Sequence, residues 1–201
     1  WNGFNIMNNA ASIVGSLDII NNYSSISNSD IFDQSKTGEV KFLFLLGVDE
    51  NLLEYNDTFI VYQGHHGDSG ALRADVILPG SAYTEKNTSF VNLEGRLQTL
   101  ERAVFPPGDA KEDWAIIRAM SEYIGKKIKY DSLNDLRNQM HKEVYDKITF
   151  DDTRANNKPS KGRFKKLISS KLKGSGRNQY MTCPISRSSN TMAECIKNQV
   201  T

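Results

Sequence analysis

The sequence predicts an α/β fold with a Rossmann-like, mostly parallel sheet flanked by helices. Two runs of β-branched and aromatic residues, 59–62 and 76–78, enclose a glycine-rich turn and a short helical stretch. Both are expected to be buried strands, and Pro79 ends the second because proline has no amide for a central ladder. A third run, 40–46, is apolar on both faces, as a parallel sheet covered on both sides requires. Strand, turn, helix and strand form a βαβ unit, whose crossover is expected to be right-handed.

The first third of the chain is predicted to contain one helix, one loop and one strand. Apolar residues recur at three- and four-residue spacing from Trp1 to Val14, which indicates an amphipathic helix that ends at Gly15. Residues 21–38 are polar and rich in turn formers, so a loop is expected there. Residues 40–46 form the most apolar run of the chain and are predicted to be a central strand.

Polar residues follow two of the predicted strands. Asp49 lies just past the carboxyl end of the run 40–46, where open α/β sheets usually bind ligands. Asp68 or Ser69 is expected to cap a short helix over residues 71–74.

Beyond Pro79 the pattern predicts a hairpin or a crossing pair of strands, followed by two helices. Residues 89–93 and 97–104 are extended runs on either side of a glycine-containing loop. Asp109 and Glu112 have capping-box spacing, and the helix after them is expected to end near Gly125. One face of that helix is predicted to carry the apolar residues Trp114, Ile117, Met120 and Ile124. A second helix is predicted to begin at Ser132, and a weakly amphipathic helix over 192–196 closes the chain.

The length of the chain is compatible with one ordinary domain plus an appendage or with two small domains. The chain has 201 residues, 38% of them hydrophobic, and a formal net charge of +1, so it can form a core while its net charge indicates no class of partner. No apolar run approaches the length of a membrane span. We therefore expect an α/β domain over residues 1–150 and a basic extension with the C-terminal segment over residues 151–201.

The extension owes its charge to residues 154–177, which contain nine Lys or Arg and no acidic residue. Such a run can bind nucleic acid, anionic lipid or an acidic protein surface. Its one aromatic residue, Phe164, is too few for a platform on which bases stack. Docking onto an acidic neighbour within an assembly is therefore the favoured interpretation, and a solvated tail is the alternative. We expect no nucleic-acid partner.

The glycines at 64, 67 and 70 follow a predicted strand with G-x-x-G-x-x-G spacing. The dinucleotide-binding fingerprint is G-x-G-x-x-G, so the spacing does not match it. A helix N-terminus in this turn can hold an anion, but Asp68 lies where a phosphate would arrive and would repel it. We interpret these glycines as requirements of a tight turn and of close packing.

Potential metal ligands are few. Cys183 and Cys195 are the only cysteines, whereas an iron–sulfur cluster needs about four thiolates. His65 and His66 are neighbours, and neighbouring side chains on an extended chain point to opposite faces, so we expect them not to converge on one ion. His141 lies on a separate predicted helix. The favoured interpretation is that one histidine of the pair is packed in the turn and the other faces a partner.

Several short motifs occur along the chain in one order: GHHGD at 64–68, ADVILPG at 74–80, TEK at 84–86, EGR at 94–96, PPG at 106–108, EDW at 112–114 and ISRSSNTMAECIK at 185–197. Together they resemble the segment shared by molybdopterin oxidoreductases and their inactive relative in respiratory complex I. The finer match is to the 75 kDa iron–sulfur subunits, also called G subunits, of NADH:ubiquinone oxidoreductase. The resemblance covers roughly residues 1–145 and 180–197 and is weak between them.

The resemblance implies a molybdopterin-oxidoreductase-like fold and the C-terminal part of that subunit, and we expect the second half of a split mitochondrial subunit. Glu85, Glu94 and Arg96 look like a catalytic cluster, but in the family these positions belong to the scaffold that holds a pterin in active relatives. The complex I member keeps the scaffold without the cofactor. No catalytic, cofactor-binding or metal-binding residue is therefore expected here, and the iron–sulfur clusters are expected on the partner half.

Two functions of different class follow from the resemblance. The first is a structural, non-catalytic part of the peripheral arm of complex I, a proton-translocating enzyme complex on the matrix side of the mitochondrial inner membrane. Its partners would be the N-terminal, cluster-binding half of the subunit and other peripheral-arm subunits, with no direct insertion into the membrane. The alternative is a free-standing α/β cofactor-binding module or oxidoreductase of the molybdopterin type.

Overall fold

The computed structural model describes residues 10–20, 28–49, 57–143 and 179–199. Within these ranges the strands are β1 (Phe42–Leu46), β2 (Phe59–Gly64), β3 (Val76–Pro79), β4 (Thr88–Val91) and β5 (Leu97–Leu100). The helices are α1 (Ile13–Ile19), α2 (Asn28–Lys36), α3 (Ser69–Arg73), α4 (Asp113–Tyr123), α5 (Leu133–Glu143), α6 (Pro184–Arg187) and α7 (Asn190–Gln199), with a 3-10 turn at Gln179–Met181. The part of the predicted amphipathic helix that precedes residue 10 lies outside the described residues, and so does the basic run 154–177.

Three parallel strands in the order β1-β2-β3 form the main sheet. The predicted α/β class is confirmed, and β2, α3 and β3 form the expected βαβ unit. The predicted position of β1 is wrong within the described part of the chain, because β2 is the central strand and β1 lies at an edge. The central position was inferred only from the apolar composition of β1. An apolar run of this kind is equally compatible with an edge strand that is covered by something other than a neighbouring strand.

One face of this sheet carries the main core. Leu45, Ile60 and Tyr62 are buried there, and Phe32 of α2 packs against them. The loop predicted for residues 21–38 is therefore wrong from Asn28 onward, because burial of Phe32 stabilises a helix that local polarity does not indicate; a buried side chain of this size contributes about 1.5–3 kcal/mol. Partly buried residues complete the cluster: Leu43, Ala71 and Ala74.

The other face of the sheet is open over much of its area. Strand register places Phe42, Leu46, Phe59 and Val76 on this face, and these side chains are 56%, 49%, 48% and 38% exposed. The prediction that β3 is a buried strand is wrong, since Ile77 on the opposite face is also exposed. The sheet is thus apolar on both faces, as predicted, but each face is only partly covered within the described residues, because Val61 and Gln63 are buried on the second face.

A second sheet, the antiparallel hairpin β4–β5, carries a smaller core. Val91 and Leu97 are buried, and Val14 of α1 and Met140 of α5 pack against them. The prediction that the first helix ends at Gly15 is wrong, because α1 continues to Ile19. Gly15 is needed there for close approach, since an added Cβ would lie 2.9 Å from the Cγ2 of Val91.

Helices α4 and α5 begin differently from one another. Ser132 caps α5 as predicted, with its hydroxyl accepting from the amide of Asp135 at 3.1 Å. The predicted capping box at Asp109 is wrong, because α4 begins only after Glu112. The Glu112 carboxylate accepts instead from the indole of Trp114 at 2.6 Å. Gly125 ends α4 as predicted, in the left-handed region at φ 75°.

Arg118 joins α4 to the segment before α5. Its guanidinium is largely buried and donates to the carbonyl of Tyr130 at 3.0 Å and to Asp131 and Glu122. The bond to Asp131, and then the bond to Glu122, raise the pKa of Arg118. The buried residues of α4 are therefore Arg118 and Ser121, whereas Ile124 of the apolar face predicted for this helix is exposed. Arg118 fixes the α4–α5 connection.

Candidate functional site

The turn between β2 and α3 lies at the carboxyl end of the parallel sheet, where the resemblance to the family is concentrated. Gly64 ends β2, and a Cβ added there would lie 2.2 Å from the hydroxyl oxygen of Tyr62. At Gly67 the added Cβ would meet the Cβ of Ala71 at 3.3 Å, which is a milder contact. The close packing predicted for these glycines is found at Gly64, where no larger residue fits without movement of the tyrosine.

Tyr62 and Asp49 form a buried polar pair behind this turn. The Tyr62 hydroxyl lies 2.7 Å from Oδ2 of Asp49 and 2.8 Å from the carbonyl oxygen of His66, so two acceptors share its proton. Burial, followed by the hydrogen bond and charge of Asp49, raises the pKa of Tyr62 well above its usual value. Oδ1 of Asp49 has no hydrogen-bond partner among the described residues. The neutral phenol of Tyr62 therefore links the segment after β1 to the turn. Because its pKa is raised, it does not act as an acid or a base near neutral pH.

Asp68 connects this turn to the C-terminal segment. Its Oδ1 accepts from the amide of Ser69 at 2.9 Å and caps α3, as predicted for one of these two residues. Its Oδ2 accepts from Nε of Arg187 on α6 at 2.7 Å, across 119 residues of sequence. The N-terminus of α3 is thus occupied by a carboxylate that is itself paired with a cation, which leaves no positive charge there for an incoming phosphate.

The side chains of the two histidines of the turn contact each other, contrary to the expectation that they point to opposite faces, while the expectation that they do not bind one ion stays a prediction. Their Nδ1 atoms lie 2.7 Å apart, and the rings meet edge to face with centroids at 5.0 Å. The prediction assumed an extended chain, whereas these residues lie in a bend after the end of β2. Partial burial, then the charges of His66 and Lys86, lower the pKa of His65. A neutral His65 therefore shares one proton with its neighbour near neutral pH.

Two motifs that carry the resemblance, TEK and EDW, meet on the other side of the turn. Gln63 is fully buried, and its Nε2 donates to Oδ1 of Asp113 at 2.9 Å. Lys86 forms an ion pair with the second oxygen of Asp113. Gly80 permits this approach, because an added Cβ would lie 3.0 Å from Oδ1 of Asp113. The start of α4 is thereby fixed against the end of β2.

Glu85, Glu94 and Arg96 look like a catalytic cluster in the sequence, but their positions in the structure do not support one. Glu85 accepts from the amide of Ala82 at 2.9 Å and stabilises the turn after β3. Glu94 and Arg96 lie in the β4–β5 loop, where their amides donate to Oδ1 of Asn92 at 3.0 and 2.9 Å. These contacts of the three residues stabilise turns, and the scaffold role that the resemblance implies stays a prediction.

Metal-ligating residues are not gathered in the described ranges. Within them no group of three or more His, Cys, Asp and Glu residues is placed to hold a metal ion. Cys183 and Cys195 are both free thiols. Cys183 caps α6, and although burial opposes it, hydrogen bonds from Ser186 lower the pKa of the Cys183 thiol. His141 lies on α5, apart from the histidine pair.

Comparison with known proteins identifies the family. A family model described as molybdopterin oxidoreductase matches residues 1–123, and the chain belongs to this family. A second model, described as the C-terminal region of the NADH-ubiquinone oxidoreductase G subunit, matches residues 141–195. That second match includes the basic run, so similarity to the family extends through a segment where the sequence indicated only a weak resemblance.

The finer resemblance, to the 75 kDa proteins of NADH:ubiquinone oxidoreductase, is confirmed by individual relatives. The NADH-ubiquinone oxidoreductase 75 kDa subunit of Reclinomonas americana is 46% identical over 97% of this chain and 28% of the relative. The mitochondrial 78 kDa subunit of Candida albicans is 44% identical over 98% of this chain. The NADH-quinone oxidoreductase G subunit of Rickettsia conorii is 45% identical over 98% of this chain. The chain spans about 28% of the length of each of these relatives.

The residues at the carboxyl end of the sheet do not fit the pterin for which the family is named. That cofactor carries an anionic phosphate and thiolates, so its site must supply hydrogen-bond donors and positive charge. The described polar groups here are acidic or already paired, since Asp49 accepts from Tyr62 and Asp68 accepts from Arg187. No chemical step is therefore assigned to a pterin at this position.

Sequence reasoning missed three of the residues that organise this site: Tyr62, Gln63 and Arg187. Tyr62 and Gln63 end a predicted strand, and a polar side chain at the end of an apolar run is a signal that could have been followed. Arg187 belongs to the motif ISRSSNTMAECIK, which indicated the family resemblance but no individual contact. Its contact with Asp68 has no local signal, because the two residues are far apart in the chain.

Proposed function

We propose that this chain is a structural, non-catalytic part of the peripheral, NADH-oxidising arm of mitochondrial respiratory complex I. It supports the iron–sulfur-cluster-bearing half of the 75 kDa subunit, while electrons pass from NADH to ubiquinone through other chains. The proposal is supported by 46% identity, over 97% of the chain, to a relative named as the NADH-ubiquinone oxidoreductase 75 kDa subunit.

The observation that carries the non-catalytic part of the proposal is the ion pair between Asp68 and Arg187 at 2.7 Å. It fills the carboxyl end of the sheet, the usual ligand position of open α/β folds, with side chains of the chain itself. The neighbouring Tyr62 hydroxyl is likewise satisfied by Asp49 and a backbone carbonyl. Side chains that bind one another in this way support packing and leave few groups for a substrate; among the described residues, Oδ1 of Asp49 and Oε1 of Gln63 are the buried oxygens of Asp49 and Gln63 without a partner.

The proposed partners are the N-terminal, cluster-binding half of the subunit and other peripheral-arm subunits. The proposed location is the matrix side of the mitochondrial inner membrane. One observation supports this location, which is that the Candida albicans relative is named as mitochondrial. No helix in the described ranges is long and apolar enough to cross a membrane. The basic run 154–177 is proposed to dock onto an acidic neighbour and to have no role with nucleic acid.

The chain itself is proposed to hold no cofactor, with the iron–sulfur clusters on the partner half. The second candidate function is a cofactor-binding module of the molybdopterin type, and membership of that family favours it. The two candidates differ in a measurable property, because a pterin or a metal adds absorbance and bound elements to the purified chain.

The test is elemental analysis and an absorbance spectrum of the purified chain, followed by a His65→Ala, His66→Ala double variant in the assembled complex. We expect no stoichiometric Mo, W, Zn or Fe, and a double variant that passes electrons normally once assembled. A Tyr83→Ala variant, at an exposed residue of the neighbouring loop, controls for general effects of truncation. A bound metal, or a double variant that assembles fully but fails in electron transfer, would contradict the structural role.

A further inference from the structure

The outer edge of β1 presents unpaired backbone groups. The carbonyl of Lys41 accepts from the amide of Phe59, and the amide of Gly47 donates to the carbonyl of Gln63, so odd-numbered residues of β1 face β2. Backbone groups alternate in direction along a strand. Those of the even-numbered residues, Phe42, Phe44 and Leu46, therefore point away from the sheet, toward an edge that no other described strand covers.

This edge has none of the features that normally protect one. Exposed edge strands usually carry charged residues, proline or a bulge, which prevent association with other strands. The sequence of β1 is FLFLL, and it pairs with β2 in an uninterrupted parallel register. Its composition is that of a strand in the interior of a sheet.

The opposite edge of the sheet shows what a covered edge looks like in this protein. Lys111 lies beside β3, where its amide donates to the carbonyl of Pro79 at 3.1 Å and its carbonyl accepts from Ser81 at 3.0 Å. Gly80 and Lys111 form a parallel bridge there. The segment before α4 thus covers the carboxyl end of β3, and no comparable described segment covers β1.

An apolar surface is continuous with the open edge. Phe42 of β1 and Phe59 of β2 stack with ring centroids 6.3 Å apart and planes 17° apart, and both rings are about half exposed. Leu46 and Val76 lie on the same face and are also exposed. These four side chains and the β1 edge, which we call the β1 surface, combine free backbone groups with uncharged apolar contacts. Val61 and Gln63 lie on the same face and are buried, so the exposed apolar area consists of the Phe42–Phe59 pair with Leu46 and Val76 apart from it. Exposed apolar residues of this kind mark interaction sites.

We propose that the β1 surface binds the larger, remaining part of the family protein, which adds a strand to the edge of β1 and covers the Phe42–Phe59 face. This inference rests on the proposed function and names the surface through which it acts. The relatives extend far beyond the region they share with this chain, which spans only 28% of their length. The absence of charge on the β1 surface favours such a permanent, apolar partner. The inference is the same whether that partner is joined to this chain or is a separate chain.

The experiment co-expresses the 201-residue chain with the larger, remaining part of the Reclinomonas americana 75 kDa relative; we call the product the reconstituted pair. Hydrogen exchange is compared between the chain alone and the pair. We expect the amides of Phe44 and Leu46 to exchange at least about tenfold more slowly in the pair than in the chain alone. Strand addition predicts this pattern because these outward amides gain hydrogen-bond acceptors.

The matched variants test the face. A Phe42→Glu, Phe59→Glu double variant places two charges on the β1 surface and is expected to reduce recovery of the pair at least about tenfold. An Ile77→Glu, Leu72→Glu double variant places two charges on exposed residues outside the surface and is expected to form the pair normally. The unmodified chain supplies the exchange measurement, so the test does not depend on the folding of either variant.

The outcomes separate this inference from the proposed function. A pair that forms equally well with the Phe42→Glu, Phe59→Glu variant and leaves β1 exchange unchanged would overturn the inference and leave the proposed function standing. Amides of Phe44 and Leu46 that are already protected in the chain alone, at a dilution where light scattering shows only monomer, would overturn it too, by showing that this chain covers its own edge. Failure of the unmodified chain to form any pair would count against the proposed function and the inference together.

Discussion

The carboxyl end of the parallel sheet and the β1 surface differ in whether their polar and apolar groups have partners. At the carboxyl end, the polar groups bind one another across long sequence distances, as Asp68 does with Arg187 and Tyr62 with Asp49. At the β1 surface, backbone groups and apolar side chains remain open within the described residues. Ligand sites of open α/β sheets usually lie at the carboxyl end. Here that end is closed and the open surface is of a kind that proteins bind, which favours a supporting role over catalysis.

The largest effect on the closed end is expected from Gly64→Ala. The new Cβ would lie 2.2 Å from the Tyr62 hydroxyl oxygen, and the buried tyrosine cannot move without losing its bonds. Overpacking of this kind costs about 3 kcal/mol. We expect a correspondingly lower urea midpoint for the reconstituted pair. The control is Gly67→Ala, where the contact distance is 3.3 Å and the loss should be much smaller; equal losses would show that Gly64 is not specially constrained.

A smaller loss is expected from Tyr62→Phe, which keeps the ring and removes the hydroxyl. Asp49 would then be buried without its donor, at a cost of about 1–3 kcal/mol. The variant should also change the response to alkali. The pKa of Tyr62 is raised in the folded chain, so its contribution is complete below about pH 10, the ordinary tyrosine value, and is lost as pH rises further, because the unfolded chain ionises first.

Urea unfolding at pH 8 and at pH 11 measures both consequences for Tyr62. The unmodified pair should lose more stability between the two pH values than the Tyr62→Phe variant does. Tyr83→Phe, at an exposed tyrosine, is the control and should keep both the stability and the alkaline loss. A Tyr62→Phe variant as stable as the unmodified pair would show that the buried hydrogen bond contributes nothing.

Arg187→Gln tests whether α6 is held at the turn by its ion pair with Asp68. The two side chains are partly exposed, so solvent screens the pair and its removal should cost roughly 1 kcal/mol or less. The more specific expectation is faster hydrogen exchange in Pro184–Gln199 with little change in β2. Lys197→Gln, at an exposed residue of α7, should leave that exchange unchanged. Unaltered exchange in Arg187→Gln would mean that the C-terminal segment is held by other contacts.

The smallest effect is expected from His65→Gln and appears only in acid. The pKa of His65 is lowered in the folded chain, so its contribution to stability is present above the ordinary histidine value near 6.5 and is lost as pH falls below it. The unmodified pair should therefore lose slightly more stability between pH 7 and pH 5 than His65→Gln does. Identical acid profiles would show that the histidine contact has no energetic consequence.

Elements with a local signal were predictable, and contacts between distant segments were not. Strands β1, β2 and β3, the hairpin, and the caps at Asp68 and Ser132 follow from residues within one turn or strand of each other. Helix α2 was missed because its polar sequence conceals one core residue, Phe32. The edge position of β1 depends on which segments lie beside it, and the sequence of a strand does not specify its neighbours.

The site was predictable in composition but not in arrangement. The motifs located the turn correctly, because its glycines and the cap at Asp68 are local features of the sequence. The convergence of His65 and His66 depends on a bend after Gly64, which a rule for extended chains cannot describe. The pairing of Asp68 with Arg187 joins two distant segments of the chain, and only the folded structure brings them together.

The contrast between the closed carboxyl end and the open β1 surface is tested most directly by the behaviour of the isolated chain. Light scattering and binding of a hydrophobic dye should be measured for the chain alone and for the reconstituted pair at the same concentration. Because the β1 surface is apolar and open, the chain alone should self-associate or bind the dye, and the pair should do neither. A monodisperse, dye-free monomer that unfolds cooperatively on its own would contradict the account.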